Sequence, residues 1–180
     1  EFPVDGAFLK ADPERVAAWR HRLDQLGPGL KIGAGWRSLN AGWHKLPLHS
    51  DLNDWKPIAA VDHTHLISLQ SGLRGGEIET AAANGVSVHR FDELDIDNDM
   101  ENAAALMLAL DAVVSCQCWL LHLGGALGVK VYTFNAKPNP YLMDQNTNPW
   151  APSVEVIYRE HGAPWTTAMT EIANRLRVRF

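Results

Sequence analysis

The spacing of apolar residues changes repeatedly along this chain. In ADPERVAAWRHRLDQLG, residues 11–27, Val16, Trp19 and Leu23 recur at helical spacing and form one apolar face. Asp12 suits the N-cap, Pro13 the first helical position and Gly27 the stop. LKIGAGW (30–36) is a short apolar run and reads as a strand. A polar loop over 38–49 leads to a helix at 50–61, weakened by Pro57. Then come a strand, THLISLQ (64–70), and a helix with a glycine stop, GEIETAAANG (76–85). VSVHRF (86–91) is a third strand, DMENAAALMLAL (99–110) a helix, and AVVSCQ (112–117) a fourth strand. WLLHLGGALG (119–128) is a helix ending at Gly128, and VKVYTF (129–134) a fifth strand. A Pro/Asn-rich loop covers 135–152, and VEVIYRE (154–160) is a sixth strand. The helix PWTTAMTEIANRLRV (164–178) closes the chain, with Pro164 at its start.

Strands and helices therefore alternate throughout. The second, fourth and fifth strands are almost continuously apolar, as expected when helices cover both faces of a parallel sheet. This pattern predicts a doubly wound, Rossmann-like α/β domain with about six parallel strands. Ligands of such sheets sit at the carboxyl ends of the strands, near the switch in strand order. The residues to watch are those that follow each strand: Trp36 and Arg37, Gln70, Phe91, Gln117 to Trp119, and Asn135 to Lys137.

The 180 residues suit one domain, and 46% hydrophobic with 21% charged residues is ordinary for a globular protein. A net charge of -5 argues against a general nucleic-acid binder. No apolar run reaches the ~18 residues of a membrane helix, and no signal peptide is visible at the start. Two cysteines one residue apart are a poor disulfide framework, which points to a reducing, cytoplasmic compartment. The first residue is Glu1, so a fragment of a longer protein is one expectation.

The stretch SCQCWLLHLGGALG, residues 115–128, admits two chemistries. Cys116, Cys118 and His122 can be read as three metal ligands, but zinc sites use wider cysteine spacings and four ligands, and no fourth ligand is near in sequence. Alternatively the stretch is a strand-to-helix turn whose free N–H groups and dipole face a phosphate. Cys116 also reads simply as a small core residue and His122 as a hydrogen-bonded one. The later Gly124 and Gly125 lie within the helix and allow it to pack close to the sheet. The run DELDIDNDMEN (92–102) carries six carboxylates and two D-x-D triplets. It reads as a solvated loop entering a helix, where acidic groups favour the dipole. The glycine and terminal glutamate of a calcium loop are missing. No nucleophile elbow, P-loop or dinucleotide fingerprint occurs in a strand-to-helix turn.

LKIGAGWR, THLISLQ, DMENAAALMLALDAVVS, HLGGALG, NPWAPSVEVIYRE and PWTTAMTEIANRL, in this order from about Leu9 to the end, resemble one family. It is the carboxyl-terminal domain of bacterial tetratricopeptide-repeat glycosyltransferases, similar to the donor domains of heptosyltransferases and O-GlcNAc transferases. The resemblance implies one half of a two-domain GT-B fold, binding a nucleoside diphosphate sugar without metal or other cofactor. The partner would be an N-terminal half, carrying the acceptor cleft, the catalytic base or the tetratricopeptide repeats. Trp36 and Arg37 match the family's Trp-Arg after strand one, and Gln70 the glutamine after strand two. Asp99 and Asp111 match aspartates flanking the fourth helix, while His122, Gly125 and Gly128 match its H-L-A-G-A-L-G. Where the family has Asp-Thr and a small residue, this chain has Gln117, Cys118 and Trp119, and its Trp-Tyr-Pro is Trp150-Ala151-Pro152. A thiol donates poorly to a diphosphate oxygen. The expected donor site is Trp36, Arg37, Gln70, Gln117, Cys118, Trp119, His122 and Gly125, with no catalytic residue assigned. The alternative is a non-catalytic interaction module that keeps the fold around a decayed site.

Overall fold

A computed structural model describes residues 6–39, 48–136, 145–160 and 162–180. Helix α1 spans Pro13–Asp24, and the Asp12 carboxylate accepts from Glu14 N at 2.8 Å, as an N-cap should. Strand β1 (Leu30–Gly35) follows. Pro57 does not prevent a helix at 50–61 but divides it into a 3-10 turn, Leu52–Trp55, and α2, Lys56–Ala59. Proline is tolerated there because an N–H in the first helical turn has no intrahelical hydrogen bond to lose. Next come β2 (Thr64–Ser68), α3 (Glu77–Ala83) and β3 (Val88–His89). Helix α4 (Met100–Ala109) is capped by Asp99, which accepts from Asn102 N at 2.9 Å. The chain continues through β4 (Ala112–Cys116), α5 (Trp119–Leu127) and β5 (Val131–Ala136). A hairpin of β6 (Thr147–Asn148) and β7 (Ala151–Arg159) then precedes α6 (Trp165–Arg179).

The sheet order is β3-β2-β1-β4-β5-β7-β6. Six strands run parallel, as expected, and the short β6 pairs antiparallel with β7. Fifth-strand pairing begins two residues later than the sequence suggests, because Val129 N is spent on Gly124 O at the end of α5. Gly128 sits there at φ +74, the left-handed conformation that closes the helix. The third strand shrinks to two residues at the sheet edge.

Each face of the sheet buries its own core. One, under α1, α4 and α5, gathers Trp19, Leu23, Leu106, Met107, Leu120, Val113 and Val131. The other, under α2, α3 and α6, gathers Trp36, Trp55, Ile58, Phe134, Trp165 and Ile172. On the first face α5 lies close to the sheet. A methyl placed on Gly124 would stand 2.5 Å from a Val131 methyl, and one on Gly125 2.6 Å from Ala151 Cβ. Glycine at these two positions sets the height of α5, and hence where its N-terminus lies.

Candidate functional site

Strand order reverses between β1 and β4, which neighbour one another although β1 lies far upstream. Their carboxyl ends mark the switch point of the sheet. From β1 the chain continues directly into Trp36 and Arg37, and from β4 into Gln117 and the start of α5.

Trp36, Arg37 and Gln70 meet at one place. The Gln70 side chain is buried, and its Oε1 accepts from both Trp36 N and Arg37 N at 2.9 Å. Its Nε2 donates to Arg37 O at 2.9 Å and Ser71 O at 2.6 Å. This amide therefore joins the exits of β1 and β2, and all four of its hydrogen-bonding positions are used on backbone.

Arg37 turns toward the loop between β2 and α3. Its guanidinium forks onto both carboxylate oxygens of Glu77, with Nη2 to Oε1 at 2.7 Å, and Nη2 also donates to Gly72 O at 2.7 Å. Glu77 further accepts from Arg74 N at 2.7 Å and from the Trp36 indole at 3.3 Å. Burial pushes the Glu77 carboxyl upward, but the donors from Arg37, Arg74 N and Trp36 together hold it below the usual range. Sequence reasoning missed Glu77; the only visible signal was an acidic residue in the first turn of a helix, which usually serves the dipole.

The second group of expected residues follows β4. Gln117 Oε1 accepts from Asn135 Nδ2 at 2.7 Å, and Asn135 Oδ1 from Ala136 N at 2.8 Å, which ties the ends of β4 and β5 together. Cys118 is the extended N-cap of α5, and its side chain makes no capping hydrogen bond. Leu121 N already donates to Cys118 O at 3.3 Å, but the N–H groups of Trp119 and Leu120 have no acceptor within the helix, so this end keeps its electropositive character. Trp119 is half-buried and packs against the core beneath α1, α4 and α5. His122 is exposed on the outer side of the helix and is not a core residue. Gly125 faces Ala151 and Val154, toward the sheet. Lys137, expected to follow β5, lies outside the described residues.

A cleft of about 470 Å³ opens at the carboxyl ends of β2 and β3. Gln70, Ser68 and Phe91 form its floor, and Asp92, Glu93, Asp95 and Asp97 its rim. Trp119 is not among its described lining residues. The acidic rim is largely engaged locally: Glu93 pairs with Arg22 at 3.1 Å, and Asp92 with Arg90 at 3.3 Å. Hydrogen bonds from the Asn98 side chain, then from the Asn98 and Asp97 amides, hold the Asp95 carboxyl low. Among the described residues no three His, Cys, Asp or Glu side chains converge as a metal site. Cys116 is buried in the core on the α6 side.

No protein-family model matches the chain. Over 177 residues, 98% of its length, the chain is 31% identical to Protein FlbA of Caulobacter vibrioides. It spans only 30% of that protein. Two solved structures share its fold. ADP-heptose LPS heptosyltransferase II of E. coli superposes with a TM-score of 0.65 at 14% identity, covering 96% of this chain and 54% of the enzyme chain. A glycosyl transferase family 9 protein of Veillonella parvula gives 0.57 at 13% identity, covering 96% and 46%. The fold is thus the GT-B-like Rossmann fold of heptosyltransferase-type glycosyltransferases; a tetratricopeptide-repeat attribution goes further than this likeness reaches.

Proposed function

We propose that this chain is the nucleotide-sugar-binding half of a GT-B glycosyltransferase-like protein. It holds a nucleoside diphosphate sugar at the carboxyl ends of β1, β2 and β4. Sugar transfer requires an N-terminal half that supplies the acceptor cleft and the base. The observation that carries the reading is the start of α5. Its N-cap, Cys118, makes no side-chain capping hydrogen bond, it lies at the switch point, and its first residue, Trp119, packs aside onto the core. Backbone N–H groups at such a helix start suit a diphosphate without any metal. The neighbouring cleft would take the nucleoside, with Phe91 offering a ring and the acidic rim offering acceptors to ribose hydroxyls.

A second reading has its own support. The one cation expected at the site, Arg37, is already neutralised by Glu77, and the cleft rim is acidic. Both disfavour a diphosphate and fit a non-catalytic interaction module. Calorimetry of the chain against ADP, UDP, GDP and CMP separates the two. The proposal expects a diphosphate to bind more tightly than CMP, with NMR amide shifts concentrated at residues 118–121. No heat with any of the four at millimolar concentration, from folded protein, leaves the second reading.

A further inference from the structure

We infer that Glu77 is a specificity-determining residue of this site: its carboxylate takes the seat on Arg37 that a ligand phosphate would take. The inference rests on the donor-site reading above and concerns which anions that site admits.

The geometry is that of a guanidinium whose anion seat is filled from within the chain. A guanidinium presents a flat, two-pronged edge that fits a carboxylate and a phosphate equally well. In this chain both prongs end on Glu77, and Gly72 O takes a further N–H. The ion pair is well covered, with side-chain exposures of 10% for Arg37 and 18% for Glu77. Glu77 is also held from two other directions, by Arg74 N and by the Trp36 indole. A surface ion pair yields readily to a competing anion. This one does not, because displacing Glu77 strips three separate donors from a half-buried carboxylate. The end of β1 is therefore electrically neutral, which leaves the start of α5 to attract a phosphate. A ligand with one phosphate-bearing end and one uncharged end suits this arrangement better than a compact anion that demands both seats.

Inorganic pyrophosphate and ADP are the probes, titrated calorimetrically into the wild-type chain, Glu77→Gln, Glu77→Ala and the double variant Arg37→Gln/Glu77→Gln. Glutamine retains an acceptor for Arg74 N but releases the charge of Arg37. The expected result is a gain of about tenfold or more in pyrophosphate affinity in both single variants, the worth of one charge-assisted hydrogen bond. That gain disappears when Arg37 is also replaced. Glu77→Ala answers the question if the glutamine variant does not fold. A folded single variant with no gain overturns the inference, and so does a gain that survives loss of Arg37. Pyrophosphate gain without any ADP binding would uphold Glu77 and refute the nucleotide reading. ADP binding to the wild type that neither Glu77 substitution alters would do the reverse.

Discussion

Replacing Gln70 by methionine tests whether this side chain serves the fold or a ligand. Methionine keeps the length and removes the amide. Two buried or half-buried amide donors, Trp36 N and Arg37 N, lose their shared acceptor, and Arg37 O and Ser71 O lose a donor. Each buried donor left unsatisfied costs about 1–3 kcal/mol, whereas a carbonyl retains a second lone pair and loses less. The apolar burial of a methionine returns part of this. The expected loss is therefore about 3 kcal/mol, a large share of the ~5–15 kcal/mol that holds a domain together. For a domain of this size it corresponds to a fall in Tm of roughly 6–12 °C. Urea unfolding followed by tryptophan fluorescence gives the free energy, and calorimetry with ADP gives binding on the same sample. A Gln70→Met protein within about 0.5 kcal/mol of wild type but weaker toward ADP would refute the reasoning. The amide would then act on the ligand, and the four backbone contacts would be incidental.

Two further expectations come from the same structure. Gly124→Ala gains about 1 kcal/mol of helix propensity but places a methyl 2.5 Å from Val131, a stiff β-branched neighbour, and overpacking typically costs 1–3 kcal/mol. A net loss of about 1 kcal/mol is expected by chemical denaturation, and a variant as stable as wild type would show that α5 can ride higher. His89 is held below its ordinary value of 6.5, first by burial and then by His65 and Lys31. The unfolded chain therefore binds its proton first, and stability declines as pH falls through about 6.5. In His89→Gln that decline should be shallower in a pH series of urea midpoints; identical slopes would place its origin elsewhere.

Much of this architecture was legible because its signals are local. Asp12 and Asp99 cap helices within three residues of themselves, and the apolar runs of β2 and β4 mark strands covered on both faces. Elements decided by distant partners were less legible. β6 exists only because Thr147 and Asn148 pair with β7, and nothing in a Pro/Asn-rich stretch announces that pairing. The site divides in the same way. Sequence could place Trp36, Arg37 and Gln70 after their strands, but it could not tell that Glu77, 40 residues beyond Arg37, would hold the guanidinium. Nor could it tell that Trp119 would lie against the core, since that depends on how closely α5 approaches the sheet.

The adjacency of β1 and β4 bears on how the chain is made. Lys31 N finds its carboxylate acceptor, Asp111, 80 residues later, at the point where β4 begins beside β1. During synthesis β1 and β2 can pair early, while the other edge of β1, apolar and rich in glycine, stays bare until β4 has left the ribosome. An interval of that length exposes a sticky strand edge to neighbouring nascent chains. Closing so long a loop is also entropically slow, which places the β1–β4 seam late in folding. Pausing, truncation or a chaperone bound within residues 64–111 would therefore affect yield far more than the same event after α5.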